Sequence, residues 1–167
     1  MANKAYPKRY VPKSLTKKDR KKQLNMLSKT SKLYKKGKYI TRQKVSSFKS
    51  KTSNHIVNAR NMYNMKTISP NDALAKKTKC SVNSLRKIVK KGQGAYFSSG
   101  SRPNQTGQSW GIARLASAIT GGKASAVDFH ILEEGCKKNS KALSLAKTAK
   151  KKFKNGRKRT SKYRFKI

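Results

Sequence analysis

Apolar residues recur at helical spacing in several short segments, and most of these segments begin at a residue that can cap a helix. The first such segment starts after Thr16, with Asp19 three positions later, which predicts a helix from Lys17 to about Lys35 and a stop at Gly37. Its apolar stripe is thin, so we expect this helix to dock on a larger body or to become firm only when bound. Residues 38–50 read as extended, with room for a short strand or an arm.

Similar caps predict a series of helices from Ser53 onward. Residues 92–107 lack a helical pattern and predict a long loop rich in Gly and Ser, a kind of segment that often carries function. The predicted helices run from Ser53 to about Met65, from Pro70 (capped by Ser69) to about Lys77, from Ser81 to Gly92, from Thr106 to Ile119, from Ala124 to Leu132 and from Ser140 to Phe153.

The fold class predicted by this pattern is mainly α: a small helical domain with a long Gly/Ser-rich loop and basic N- and C-terminal extensions. We predict a basic N-terminal extension with one helix over residues 1–52, a helical core domain over 53–146 and a basic C-terminal arm over 147–167. The middle segment contains the single Trp and most of the Ala. A domain of roughly 100 residues is large enough to bury a core.

The net charge of the chain is the strongest indication of what the protein binds. The chain has 44 Lys and Arg residues against 5 Asp and Glu residues, a formal net charge of +39. Repulsion on this scale destabilises a compact state unless an anionic partner or counterions screen it. We therefore expect a polyanion as partner, most plausibly nucleic acid, and disorder only at the chain ends. No apolar run reaches the ~20 residues of a membrane span and no signal peptide is recognisable, so we expect a cytosolic protein.

Groups for catalysis are scarce. Asp19, Asp72, Glu133 and Glu134 fall at predicted helix ends, where capping explains them. Asp128 is the one acid inside a patterned segment, and a buried pair with Arg114 is favoured over a catalytic role. His55 and His130 have no ligand at metal-binding spacing and are expected to be packed or exposed histidines. We predict no enzyme, no cofactor, no metal and no small-molecule substrate.

Cys80 and Cys136 are the two cysteines, and their spacing matches no zinc or redox motif. Buried free thiols are the favoured interpretation, and a disulfide is the less favoured one.

Residues 70–91 have the pattern of a helix-turn-helix whose second helix starts at Ser81. In that motif the start of the second helix enters the major groove. An ordinary helical hairpin that packs its Leu and Ile side chains inward explains the pattern slightly better. The motif would place Ser81, Asn83, Ser84 and Arg86 at base edges and Lys87, Lys90 and Lys91 at phosphates.

Two further segments are suited to anions. The predicted loop concentrates hydroxyls, backbone amides and a guanidinium in Ser98, Ser99, Gly100, Ser101 and Arg102, a possible anion or partner loop. A structural loop held by Trp110 and its own hydroxyls is an equally good interpretation. The C-terminal arm is a basic ladder that can follow a phosphate backbone, with Phe153, Tyr163 and Phe165 interspersed. Its predicted nucleic-acid contacts are Lys150, Lys151, Lys152, Lys154, Arg157, Lys158, Arg159, Lys162 and Arg164.

The motif GAYFSSGSRPNQT at residues 94–106, followed by Ser109-Trp110-Gly111 and by ARLASA at residues 113–118, resembles an uncharacterised family encoded by large double-stranded DNA viruses of algae and amoebae. Further matches at residues 10–15 and 47–51 extend the resemblance over most of the chain. It transfers no catalytic residue. It implies a viral origin and localisation to the virion, with the host cytoplasm or the viral factory as the site of assembly.

Two functions follow as expectations. The preferred one is a virion structural protein, a minor capsid or core component that bridges capsid proteins and a polyanion, either the viral genome or the inner membrane surface. The alternative is a DNA-binding protein that reads double-stranded DNA with the helix-turn-helix-like element of residues 70–91. The two differ in whether residues 81–86 contact bases.

Overall fold

The computed structural model of the protein describes residues 4–154 and 162–165. These residues form eight α-helices and two short strands, so the mainly α prediction is confirmed. None of the described helices is long and apolar enough to cross a membrane. The helices are α1 (Lys17–Tyr34), α2 (Asn54–Tyr63), α3 (Asp72–Thr78), α4 (Val82–Ser98), α5 (Gly107–Ile119), α6 (Lys123–Val127), α7 (Phe129–Gly135) and α8 (Lys141–Phe153), and the strands are β1 (Ala5–Pro7) and β2 (Lys162–Arg164).

Contacts divide the chain into two compact units. Unit 1 comprises residues 1–51, 94–107 and 159–167, and unit 2 comprises residues 52–93 and 108–158. The domain boundaries predicted at 52/53 and 146/147 stay predictions. Burial of Ala149 in α8 shows that helix packing continues past residue 146.

In unit 1, helix α1 buries its apolar stripe among residues that lie far from it in sequence. Thr16 caps the helix as predicted, because its side chain accepts a hydrogen bond from the Asp19 amide. Strand β1 pairs with β2 in antiparallel register, with Tyr6 opposite Tyr163. Residues 38–50 form neither helix nor strand. The buried apolar side chains of the unit are Tyr6, Tyr10, Val11, Leu15, Leu24, Leu27, Val45 and Tyr96.

Unit 2 has a single apolar core to which helices α2 to α5, α7 and α8 contribute. Each fully buried aliphatic side chain stabilises the fold by about 1.5–3 kcal/mol relative to exposure. The predicted caps Ser53, Ser81 and Ser140 each accept a hydrogen bond from an amide at the start of their helix. Fully buried members of the core include Leu74, Leu85, Ile88, Leu115, Ile119, Leu132 and Ala146.

Helix α4 does not end at Gly92 as predicted but continues to Ser98, so the loop is limited to residues 99–106. Gly92 faces Gly111 of α5: a Cβ at Gly92 would lie 2.6 Å from the Gly111 Cα atom, and a Cβ at Gly111 would lie 2.6 Å from the Val89 carbonyl oxygen. The glycine permits a close helix crossing and does not terminate the helix.

Two other predicted boundaries were wrong. The helix expected over residues 124–132 is interrupted at Asp128, which separates α6 from α7. Helix α3 is capped by Asn71, whose side chain accepts from the Leu74 amide, and so it begins two residues later than the predicted start at Pro70.

The expectation of free thiols was also wrong. A disulfide joins Cys80 and Cys136, whose Cα atoms are 3.9 Å apart. The bond connects the turn between α3 and α4 to the segment that follows α7. An antiparallel bridge between the same two residues accompanies it.

Candidate polyanion-binding surface

The charged surface consists mainly of cations, because the chain has 44 Lys and Arg residues against 5 Asp and Glu residues. Within residues 4–154 and 162–165, Asp128 forms two ion pairs, with Lys91 and with Arg114. Arg42 is the one buried cation in this part of the chain. The exposed lysines and arginines of both units therefore face solvent, where an anionic partner can reach them.

Asp128 forms the buried pair that the sequence predicted. Its carboxylate is 0% exposed and accepts hydrogen bonds from Arg114 Nε at 2.8 Å and from Lys91 Nζ at 2.9 Å. Burial opposes the charged form, but the hydrogen bonds and charges of Arg114 and Lys91 outweigh it and lower the pKa of Asp128. Lys91, a predicted phosphate contact, is therefore engaged inside unit 2.

Residues 70–91 form α3, a turn at residues 79–81 and the first part of α4, an arrangement that fits both a helix-turn-helix and an ordinary helical hairpin. Another segment of chain lies beside the start of α4, although Ser81 and Asn83 there remain exposed. The Ser81 amide donates to the Gly135 carbonyl at 2.8 Å, and the Lys137 amide donates to the Lys79 carbonyl at 2.9 Å. A segment of chain thus lies beside the residues that a recognition helix would insert into a groove.

The predicted base-reading residues include side chains that are used within unit 2 and side chains that are free of such contacts in the described residues. The Ser81 hydroxyl caps α4, and Ser84 is 6% exposed beneath Gly135, where an added Cβ would collide with the Ser84 hydroxyl. Ser84 is therefore not presented to a partner. Ser81 and the other predicted contacts on this helix are exposed, and Lys91 is so despite its ion pair with Asp128; these contacts are Asn83, Arg86, Lys87, Lys90 and Lys91.

A groove opens beside this turn. It has a volume of about 810 Å³, and Lys76, Lys79 and Lys137 line it together with Asn139. We call it the lysine groove. Its members come from the end of α3, the turn before α4 and the segment after α7, so the sequence alone did not indicate it.

Residues 98–102 do not form an open anion loop. Ser101 is fully buried, and its hydroxyl accepts from Arg42 Nη2 at 2.8 Å and donates to the Arg102 carbonyl. Gly100 has a φ of +110° and packs so tightly that a Cβ would lie 2.7 Å from Leu27 Cδ2. The Ser98 carbonyl accepts from Ser31. Ser99 and Arg102 are exposed, so two of the five predicted side chains face solvent.

Arg42 anchors this loop, although no local pattern in the sequence indicated it. Its guanidinium donates to the Tyr96 carbonyl at 2.9 Å as well as to Ser101, and it lies 3.8 Å from the centre of the Tyr96 ring. Burial lowers the pKa of Arg42, although an arginine remains charged at neutral pH. A cation held by neutral acceptors and a ring fixes the loop without an acidic residue.

Two other side chains in unit 1 also form hydrogen bonds to residues that are distant in sequence. The Asn104 side chain accepts from the Val45 amide at 2.7 Å and donates to the Val45 and Phe48 carbonyls. Asp19 accepts from the amide and the hydroxyl of Ser47, and these hydrogen bonds lower its pKa. Asp19 therefore holds residues 46–47 against α1, a role beyond the capping that the sequence suggested.

The predicted C-terminal arm begins inside α8. Lys150 lies 4.4 Å from the Phe129 ring centre, and the side chains of Lys151, Lys152 and Lys154 are exposed at the end of the helix. Lys162 and Arg164 are exposed on β2. Arg157, Lys158 and Arg159 lie outside the described residues.

No group of three or more metal-ligating side chains occurs in the part of the chain that the structure describes. His130 is exposed, and the side chains of Glu133 and Glu134 face solvent at the end of α7. The titratable groups with the most specific contacts, Asp19, Arg42 and Asp128, are all used to hold the fold together.

Comparisons with known proteins place the chain in a family. Residues 7–133 match the family described as a family of unknown function (DUF5824), which covers well over half of the 167 residues. No curated protein and no solved structure matches the chain. The motif of residues 94–106, which carries the resemblance noted in the sequence, lies inside the matched range. The chain belongs to DUF5824, a family of unknown function.

Proposed function

We propose that the chain is a virion structural protein, a minor capsid or core component that bridges capsid proteins and nucleic acid. The observation that carries this proposal is the surface of exposed cations on two compact units, in a chain with 44 Lys and Arg residues against 5 Asp and Glu residues. Folded units that cannot neutralise their own charge require an anionic partner in their working state.

The mode of binding that fits this surface is contact with phosphates and not with bases. Cations distributed over helices, turns and a strand release counterions from a nucleic acid and carry little sequence information. The burial of Ser84 and the capping role of the Ser81 hydroxyl support this mode, because these two predicted base-reading side chains are used within unit 2. The partner that we expect is double-stranded DNA, bound without sequence preference.

The virion setting rests on the resemblance to proteins of large DNA viruses. The disulfide is compatible with it, because disulfides persist in oxidising surroundings such as the virion and are rare in a reducing cytosol. Cytosolic synthesis is compatible with the bond if a two-electron oxidant, such as a small-molecule disulfide, accepts the electrons and protons of the two thiols after synthesis.

A sequence-reading DNA-binding protein is the second candidate. Asn83 and Arg86 remain exposed on α4, and side chains of these types can form bidentate hydrogen bonds with adenine and guanine. This candidate requires α4 to approach the major groove by the face that carries these two residues, because Ser84 is buried.

A salt series separates the two candidates. Binding of the full chain to two duplexes of equal length and composition but different sequence would be measured between about 50 and 200 mM salt, alongside a chain that ends after Lys154. This end point keeps α8 complete, whereas a cut at residue 147 would remove the buried Ala149. We expect sequence-blind affinity that falls steeply with salt.

Loss of the residues after 154 should make the affinity less dependent on salt concentration without abolishing binding, because cations of both units contribute to binding. Failure of the full chain to bind either duplex at about 150 mM salt would refute the proposal, since even non-specific complexes reach micromolar dissociation constants there. A preference of tenfold or more for one sequence that persists in the shortened chain would favour the second candidate.

A further inference from the structure

Lys79 and Lys137 are brought together although they are distant in sequence. Each directly neighbours one cysteine of the disulfide, and the Lys137 amide donates to the Lys79 carbonyl at 2.9 Å. Both side chains are exposed, and Lys76 from the last turn of α3 lines the same groove. Three like charges around one groove repel each other unless an anion lies between them.

The other features of the lysine groove also favour an anion. Helix α4 begins there, and the start of a helix carries positive partial charge. Asn139 adds a side chain amide that can donate a hydrogen bond. Asp72 also lines the groove, and the ion pairs of the described residues do not join it to the three lysines, which outnumber it.

We propose that the lysine groove is a docking site for the phosphodiester backbone of nucleic acid, and that the disulfide fixes its shape. The inference rests on the proposed function and deepens it by naming a surface in unit 2. A membrane surface is disfavoured as occupant, because the lining includes none of the large exposed apolar side chains that could insert into lipid. The groove has a volume of about 810 Å³ and is open to solvent, so an extended polyanion can approach its lysines.

The disulfide sets the spacing of the lysines because it covalently joins the two chain segments on which they lie. With the bond formed, residues 79–81 and 135–137 are connected by two backbone hydrogen bonds and one covalent link. Reduction removes the link and leaves the two hydrogen bonds, which like-charge repulsion between Lys79 and Lys137 opposes. We therefore expect oxidised protein to bind phosphates here more strongly than reduced protein.

The first test compares two variants of equal charge in the full chain. One carries Lys76→Gln, Lys79→Gln and Lys137→Gln, and the other carries Lys49→Gln, Lys51→Gln and Lys66→Gln at exposed positions outside every predicted site. A fluorescent duplex of about 20 base pairs is the probe. Each lost phosphate contact should reduce the slope of log binding constant against log salt concentration by about 0.9, so the groove variant should lose about 2.7 from this slope. Its affinity at 150 mM salt should fall more than tenfold, whereas the affinity of the control should fall much less.

The second test locates the contact without any substitution. Lysines of the oxidised full chain would be acetylated with and without the duplex, and the extent of modification at each lysine read by mass spectrometry. Lys76, Lys79 and Lys137 should be protected by DNA more strongly than Lys49, Lys51 and Lys66. Parallel arms with inorganic phosphate and with vesicles that contain anionic lipid distinguish a free anion or a membrane from nucleic acid.

The outcomes separate the two proposals. If the protein binds the duplex but both variants weaken equally and protection is uniform over all six lysines, the groove is not a specific site and the proposed function stands. Protection of the groove by vesicles and not by DNA would overturn the assignment to nucleic acid. A full chain that does not bind the duplex at all would overturn the proposed function and this inference together. Circular dichroism of both variants checks that each remains folded.

Discussion

Reduction of the Cys80–Cys136 disulfide should destabilise the protein by several kcal/mol. The bond closes a loop across a sequence separation of 56 residues. A cross-link of this kind stabilises mainly because it removes conformations from the unfolded chain. The cost of reduction is therefore set by the length of the closed loop and not by the few contacts around the sulfur atoms.

The loop length gives the magnitude. The chain-entropy relation gives about 3 kcal/mol for a 15-residue loop and about 4.7 kcal/mol for a 100-residue loop, so a separation of 56 corresponds to about 4 kcal/mol. The hydrogen bonds of Ser81 to Gly135 and of Lys137 to Lys79 do not depend on the bond and should persist after reduction. For a chain of this size, a loss of about 4 kcal/mol lowers Tm by about 8–16 °C.

Urea denaturation of oxidised and reduced protein, followed by circular dichroism at one fixed ionic strength, measures this difference. Ionic strength must not vary, because salt changes the repulsion among the unpaired cations. The chain has two cysteines, so no disulfide exchange within one molecule can complicate the comparison. A variant with Cys80→Ala and Cys136→Ala should not respond to the reductant.

Two results would refute this reasoning. Two titratable thiols in the denatured, unreduced protein would show that the bond is not formed. Oxidised and reduced proteins whose free energies of unfolding agree to within about 1 kcal/mol would show that loop closure does not contribute as calculated, which would also weaken the dependence of the lysine groove on the disulfide.

Other predictions follow from single buried contacts. Asp128→Asn should destabilise unit 2 by about 3 kcal/mol, because Arg114 and Lys91 lose their shared carboxylate, and denaturation at pH 7 tests this. The pKa of Asp128 is lowered in the folded state, so its contribution to stability is present above the unfolded pKa of about 3.9 and is lost as pH falls through the folded pKa. The acid denaturation curve of Asp128→Asn should lack this component, and an unchanged curve would contradict the assignment. Arg42→Lys should lower the free energy of unfolding by about 1–3 kcal/mol, because one ammonium cannot reproduce the hydrogen bonds to Ser101 and Tyr96. Amide hydrogen exchange in residues 94–107 should then accelerate, and unchanged exchange there would count against an anchoring role. Gly111→Ala should lower the free energy of unfolding by about 1–3 kcal/mol, because its Cβ would clash with the Val89 carbonyl. Gly94→Ala, whose Cβ would lie 3.9 Å from the nearest atom, should be neutral or slightly stabilising. Thermal denaturation of both variants tests this, and equal effects would refute the close helix crossing.

Helix starts could be predicted from the sequence because capping is local chemistry. Thr16, Ser53, Ser81 and Ser140 each accept from an amide two or three positions later, and the sequence contains both partners within a few residues. The mainly α class followed from the same patterns.

Features that depend on distant parts of the chain could not be predicted. Gly92 looked like a helix stop because the sequence does not show that Gly111 crosses it. The break at Asp128 occurs where Arg114 and Lys91 hold the carboxylate. The pairing with Arg114 was predicted, but neither the contact with Lys91 nor the effect on the helix was.

The candidate site was predicted least well, for the same reason. Lys79 and Lys137 become neighbours through a disulfide that cysteine spacing did not reveal. Arg42 lies 59 residues from Ser101, and no local pattern distinguishes it from the exposed cations around it. The predicted contacts on α4 and α8 that the structure leaves exposed stay predictions, because exposure permits binding without demonstrating it.

The pairing of β1 with β2 bears on how the protein is made. Ala5 leaves the ribosome early and its partner Arg164 leaves it last among the paired residues. At 5–20 residues per second, roughly ten to thirty seconds of translation separate the two. The two strands of unit 1 can therefore pair only after most of the chain between them has been synthesised, so formation of this sheet is a late step in folding.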